Sequence, residues 1–305
     1  MATSCGYEFQ KKHFGFADVK PDDFYTSQWF KSRRIFACYR GAMFLYSLVW
    51  VIVNIFQYEG LYTFAYLTNW AEWTLCLYFG VSFGTVMYDV RKDNNYTNTQ
   101  ESSDIPNYSA LSNREQDELR WFHRLCWVLA TLSTDLEYLI TIMFWTFLAG
   151  EEDAMPLLII IHQHGITTLM ITIDLMVSRI QFRLLHVVYV AFYGTIYTLL
   201  TLILYVTGLQ TKIYNGVIDW QDAPVISTIV GLSVLCVGFP LVHFLAFGIY
   251  HLRFFLARKL AGRKRDSELD SRACQRNNEI ENGNNDEDFN KKLNCDSLGQ
   301  EESLL

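Results

Sequence analysis

A threonine, a histidine and three acidic residues within apolar stretches of the chain could together cleave an ester. The candidate residues are Thr68, His164, Glu72, Asp135 and Glu137. A threonine hydroxyl becomes a nucleophile when a neighbouring base takes its proton, and the base works best when a third group orients it. Thr68 would be the nucleophile and His164 the base. One of the three acids would orient the imidazole.

Helix geometry predicts that these five side chains occupy one layer of the membrane. With a rise of ~1.5 Å per residue, Thr68 lies roughly 10 Å and His164 roughly 12 Å below the outer face, on two parallel helices. Glu72 follows Thr68 by four residues and therefore shares its helix face. Glu72 and Glu137 each lie roughly 17 Å down, and Asp135 lies slightly deeper. The hydroxyl and the imidazole could therefore meet.

Other interpretations of the membrane-embedded polar residues remain open. Ser, Thr, Asn and His side chains commonly join transmembrane helices by structural hydrogen bonds alone. A metal site is suggested by His162 and His164, but residues two apart on a helix point in nearly opposite directions, so one ion cannot bind both. A metal could still use one of the two imidazoles with acids from other helices, but the favoured prediction is no metal and no cofactor. Asp174 and His243 fall near the cytoplasmic boundary, where interfacial water would solvate them.

Six apolar stretches must position these residues. They span residues 42–56, 61–88, 127–148, 156–177, 184–206 and 225–250. Most reach the ~20 residues that a helix needs to cross ~30 Å of hydrocarbon. We predict an all-α, polytopic membrane protein with six transmembrane helices. Its predicted parts are a cytoplasmic N-terminal segment (1–40), a six-helix transmembrane domain (41–257) and a disordered, basic-then-acidic cytoplasmic tail (258–305).

The basic residues predict the orientation of the chain. All of the 25 Lys and Arg residues except Lys212 fall on one side of the path that the six stretches trace. By the positive-inside rule, we predict that both termini are cytoplasmic. The membrane would be the plasma membrane or that of the endoplasmic reticulum. Residues 266–305 hold 4 basic and 11 acidic side chains, and 4 − 11 = −7, which is the net charge of the whole chain. Nothing in this distribution indicates nucleic-acid binding.

Three short motifs resemble those of the rolling stone protein family. They are FYTSQW at residues 24–29, YLTNW at 66–70 and HGITT at 164–168. The motifs have the expected order and fall on the expected spans, and the resemblance runs from about residue 14 to about residue 258. It implies a multi-pass membrane protein with a role in myoblast fusion.

The rolling stone family also looks distantly similar to the androgen-induced membrane hydrolases. Those enzymes cleave esters of hydroxylated fatty acids with an intramembrane threonine and a histidine. The resemblance places these roles on Thr68 and His164, the same two residues that depth selects. The chain differs from the hydrolases in having Thr167 where a second histidine is expected, and Asn69 and Trp70 after the threonine.

Three functions compete on this basis. The first is a role in cell–cell fusion, as the resemblance implies. The second is an intramembrane esterase whose partners are membrane lipids and whose substrate is a fatty-acid ester. The third is a proton-linked transporter or channel, suggested by the buried acids, but the sequence shows no inverted repeat of the kind such proteins often contain.

Overall fold

The protein is built almost entirely of helices. The computed structural model describes residues 8–30, 32–57, 60–101, 118–148, 156–210, 212–214 and 217–282. The main helices are α1 (Arg33–Gln57), α2 (Leu67–Glu101), α3 (Trp121–Met143), α4 (Leu157–Ile161), α5 (Thr167–Val177), α6 (Val187–Val206), α7 (Pro224–Ser233) and α8 (Phe239–Asn282). An antiparallel hairpin joins β1 (Lys212–Tyr214) to β2 (Ile218–Asp219).

Short turns connect or extend these helices. Three π-helical turns follow α3, α4 and α7, at Phe144–Leu148, His162–Ile166 and Val234–Gly238. Four further short helices occur at Lys11–Phe14, Asp22–Tyr25, Gly60–Ala65 and Leu184–His186. Because a π turn holds one more residue than an α turn, each one changes the direction in which the preceding side chains point.

Helix α3 lies at the centre of the membrane part. Nearly every side chain from Cys126 to Ile140 is buried, including Asp135 and Glu137. It packs against α2, α5 and α6, and α2 packs in turn against α1. The acids on α3 therefore face other helices, as expected for ionisable groups within a membrane.

Five segments of the described chain are long and apolar enough to cross a membrane: Arg33–Phe56, Trp121–Leu148, Leu157–Val177, Leu184–Val206 and Pro224–Leu260. The remaining predicted stretch, residues 61–88, falls in Gly60–Ala65 and α2. With 35 residues, α2 is long enough, but polar side chains such as Asn69 and Glu72 lower its hydropathy. The structure therefore shows a helical protein with five candidate spans, and the sixth span stays a prediction.

The chain divides into two units, Met1–His251 and Leu252–Leu305. In the second unit the backbone is helical as far as Asn282. The predicted disordered tail, 258–305, is thus helical over its first part, where Ala, Leu, Lys, Arg and Glu favour a helix. Its remainder, 283–305, lies outside the described residues.

The segment before α1 caps the end of α5. The Ser27 hydroxyl and the Gln28 backbone N–H each donate to the Val177 carbonyl at 2.9 Å. The Trp29 indole N–H donates to the Met176 carbonyl at 2.8 Å. The last carbonyls of a helix have no partner within it, so these contacts satisfy groups that the helix leaves open.

Candidate active site

One cavity contains both residues that the sequence selected for catalysis. It has a volume of about 90 Å³ and lies among the start of α2, the end of α3, the His162–Ile166 turn, α6, the β-hairpin and α7. Its wall is mainly apolar. The polar side chains on it are Thr68, His164, Tyr197, Thr198 and Tyr214.

Thr68 reaches the cavity from the second position of α2 and is half-buried. The preceding backbone N–H, that of Leu67, donates to the Tyr214 hydroxyl at 3.0 Å. The Tyr214 hydroxyl also lies beside the Thr68 side chain. The nucleophile candidate is therefore held where the hairpin meets the N-terminal end of a long helix.

His164 reaches the cavity from a turn that departs from α-helical geometry. Its backbone has φ −120° and ψ 16°, within the π turn His162–Ile166. The imidazole stacks on Phe144, with ring centroids 3.7 Å apart and planes inclined by 4°. It is 5% exposed, and its Nδ1 has no hydrogen-bond partner in the described part of the chain. Such turns occur often at functional sites.

Thr68 and His164 line the same cavity without touching through a hydrogen bond. Across the described residues, none of the hydrogen bonds joins the Thr68 hydroxyl to the His164 imidazole. From their depths we expected that the two side chains could touch. In the structure, both line one apolar cavity and no hydrogen bond joins them. A reacting group bound in that space could contact both.

Glu72 bonds to His162, where the sequence led us to expect His164. The Glu72 Oε1 lies 3.2 Å from His162 Nε2, and its Oε2 accepts a short hydrogen bond from the Asn54 amide. Gln163 donates to the other side of Asn54, its Oδ1, at 3.1 Å. Residues two apart on a helix point in different directions, and of the two histidines it is His162 that faces α1 and α2.

The His162 ring is held on its other side as well. Its Nδ1 lies 3.2 Å from the Tyr46 hydroxyl, and the ring stacks on Trp50 with centroids 3.8 Å apart. The buried network on α1 and α2 therefore fixes the first residue of the π turn. Through the turn it also fixes the backbone that carries His164.

Asp135 bonds to His243 on α8. The Asp135 Oδ2 lies 2.6 Å from His243 Nδ1, and His243 Nε2 lies 2.9 Å from the Arg183 carbonyl oxygen. Because a carbonyl can only accept, Nε2 carries a proton. Both side chains are buried, so the solvation by interfacial water expected for His243 is wrong. No described hydrogen bond joins Asp135 to His164.

Glu137 has neither imidazole as a hydrogen-bond partner. It is buried, its backbone carbonyl accepts from the Thr168 hydroxyl at 3.1 Å, and the Thr167 side chain neighbours its carboxyl group. Thus none of the three predicted acids bonds to His164 within the described contacts. The described residues contain no group of three His, Cys, Asp or Glu side chains that could hold a metal ion.

Sequence reasoning missed a buried ion pair between α1 and α5. Arg40 Nη1 lies 2.6 Å from Asp174 Oδ1, and both side chains are almost fully buried. The hydroxyls of Tyr39 and Tyr78 donate to the two oxygens of Asp174, at 3.1 and 2.5 Å. The interfacial solvation expected for Asp174 is therefore wrong. Arg40 lies just before the first predicted span and Asp174 near the end of the fourth, so the predicted topology puts both near the same membrane face; this was the available signal.

The three sequence motifs coincide with structural features of the site and its support. Residues 24–29 cap α5, residues 66–70 begin α2 at the cavity, and residues 164–168 form the end of the π turn and the start of α5. The family profile described as Protein rolling stone matches residues 1–263. Protein rolling stone of Drosophila melanogaster is 29% identical over 268 residues, which cover 83% of this chain and 91% of that protein. No solved structure matches. The chain belongs to the rolling stone family.

Proposed function

We propose that this chain is a six-span membrane protein, with both termini in the cytoplasm, that hydrolyses a fatty-acid ester within the bilayer. Thr68 is the nucleophile and His164 is the base. The observation that carries the proposal is the apolar cavity that both side chains line, with a buried imidazole nitrogen that bonds to no described residue.

The cavity has the character of an acyl-chain site. Ligand sites are mostly apolar, with a few polar groups that fix orientation. Here the apolar wall includes Leu139, Met143 and Leu235, and the polar groups come from the start of α2, the π turn, α6 and the hairpin. A fatty-acid chain would lie against the apolar wall and bring its ester to Thr68.

The reaction has two steps. The Thr68 oxygen attacks the ester carbonyl carbon while the His164 imidazole takes the hydroxyl proton, and the alcohol then leaves with that proton as its C–O bond breaks. The product is an acyl-threonine. Water repeats the sequence, with His164 again accepting and returning a proton, and releases the fatty acid.

Because none of the described acids bonds to His164, other groups must orient its ring. The stack on Phe144 fixes the plane of the ring, and the Trp145 indole N–H donates to the His164 carbonyl at 2.8 Å. The bonds of His162 to Glu72 and of Gln163 to Asn54 hold the preceding residues. Packing and backbone anchoring thus take the place of a third catalytic residue.

The first prediction concerns labelling by a fluorophosphonate that carries a long alkyl chain. In this reaction the Thr68 oxygen forms a P–O bond and fluoride leaves, while His164 takes the proton. Thr68→Ala and His164→Ala should each lower labelling of the purified protein at least about a hundredfold, since a nucleophile and its base act as a unit.

Thr195→Ala is the matched control. Thr195 lies on α6 and is exposed, and its one hydrogen-bond partner among the described residues is the Ala191 carbonyl. Its labelling should equal that of the unmodified protein. Labelling that survives both Thr68→Ala and His164→Ala would refute the hydrolase.

A second candidate function, a role in cell–cell fusion, is favoured by membership of the rolling stone family. On this view the protein promotes the fusion of myoblasts. The second prediction is that cells lacking the protein fuse less, and that the intact chain restores fusion. Restoration by Thr195→Ala but not by Thr68→Ala would join the two functions. Equal restoration by both variants would assign fusion to the protein independently of Thr68, and normal fusion without the protein would remove this candidate.

A further inference from the structure

We propose that the Tyr214 hydroxyl is a catalytic donor that stabilises the negative oxygen formed when Thr68 attacks an ester. This inference rests on the proposed hydrolase function and adds a residue to the same site. Tyr214 lies in the hairpin between α6 and α7, outside the three sequence motifs and outside the predicted spans.

The hairpin forms a fixed wall of the cavity. Tyr214, Val217 and Ile218 line it, and Tyr214 pairs with Ile218 across the two strands. The Asp219 backbone N–H donates to the Ser227 hydroxyl at 2.8 Å, which ties the hairpin to α7. A donor on a wall held in this way is positioned before a substrate arrives, which is what electrostatic stabilisation requires.

The hydrogen bond to Leu67 leaves the Tyr214 proton available. Leu67 N–H donates to the Tyr214 oxygen at 3.0 Å, so the oxygen is an acceptor there and its own O–H can point elsewhere. The Thr68 side chain and the Tyr197 hydroxyl lie beside it. Tyr197 donates its own proton to the Ala65 carbonyl at 2.8 Å. The Tyr214 proton can therefore turn towards an oxygen that forms next to Thr68.

Burial keeps that proton in place. It raises the pKa of the Tyr214 hydroxyl above its ordinary value, so the group is neutral and able to donate at physiological pH.

The start of α2 favours negative charge at the same point. Thr68 is the second residue of a 35-residue helix that has no acidic residue in its first turn. The first backbone N–H groups of a helix lack carbonyl partners within it and form the positive end of its dipole. Independently of the helix end, the His164 side chain lines the same cavity. Its buried Nδ1 has no hydrogen-bond partner among the described residues. The positive end of α2, the base His164 and the donor Tyr214 thus surround one apolar space.

The test compares Tyr214→Phe with Tyr193→Phe. Tyr193 is on α6, bonds to Thr74 and lies off the cavity, so its loss should leave the reaction unchanged. Each full-length variant is assayed for hydrolysis of a long-chain p-nitrophenyl ester, and for binding of the ether analogue of that ester, which cannot react. Removing one donor of this kind costs about 10² to 10³ in kcat.

We expect Tyr214→Phe to lower kcat by at least about tenfold, with KM and binding of the ether analogue unchanged. Two outcomes would overturn the inference while leaving the hydrolase in place: equal kcat in both variants, or a fall in ether binding that matches the fall in rate, which would mean that Tyr214 only shapes the cavity. If the unmodified protein hydrolyses no ester, the proposed function fails and the role of Tyr214 fails with it.

Discussion

Several buried acids in the described helices each bind a basic side chain from another helix or turn. Glu72 binds His162, Asp135 binds His243 and Asp174 binds Arg40. An ionisable group in hydrocarbon is costly unless it is neutralised or hydrogen-bonded, which explains why these residues occur in pairs. The contacts join α1 to α5, α2 to the π turn, and α3 to α8. At this scale, most of the polar residues in the membrane part hold helices together.

The third prediction concerns the contact between Asp135 and His243. His243→Ala leaves a buried carboxyl group without its partner, which should lower the free energy of unfolding by about 3–5 kcal/mol. Asp135→Asn should cost less, about 1 kcal/mol, because an amide can still donate to His243 Nδ1. Reversible unfolding in detergent measures both. Equal losses in the two variants would contradict the assignment.

The sequence could bring Thr68 and His164 together but could not identify the partners of the acids. Counting residues along a helix gives the depth of a side chain, and the two candidates do line one cavity. Depth says nothing about rotation around the helix axis. In the π turn at residues 162–166, it is His162, not His164, that faces Glu72.

At the scale of elements, the helices followed from hydropathy and the π turns did not. The apolar stretch predicted to begin at residue 42 belongs to a helix that begins at Arg33. Arg40 can lie within this helix, inside the protein, because it pairs with Asp174 there. The sequence HQHGI at residues 162–166 contains no pattern that predicts a π turn. The geometry depends on the tertiary contacts of His162 and Gln163, which a single sequence does not reveal.

The fourth prediction concerns the cap on α5. Trp29→Phe keeps the aromatic ring but removes the N–H that donates to Met176, and should lower the free energy of unfolding by about 1 kcal/mol. Trp121→Phe is the control, since that side chain is 74% exposed. Unfolding in detergent, followed by circular dichroism, compares the two. A loss no larger than that of the control would mean that the indole contact does not stabilise α5.

At the scale of the whole molecule, the buried polar contacts separate into structural pairs and one open site. In the pairs Arg40–Asp174 and Asp135–His243, both side chains are buried and bonded to each other. The cavity differs because Thr68 and His164 line one mainly apolar space, and no described hydrogen bond joins either side chain to a charged partner. For this reason we assign catalytic roles to Thr68 and His164, and structural roles to the buried acids and to the other histidines.

The residue to which the alkyl fluorophosphonate attaches tests the assignment of Thr68 as the nucleophile. The unmodified, full-length protein is labelled, digested and analysed by peptide mass spectrometry. We expect one phosphonate adduct on Thr68, absent after His164→Ala. An adduct on a different residue, or no adduct at a probe concentration that saturates a known hydrolase, would contradict this assignment.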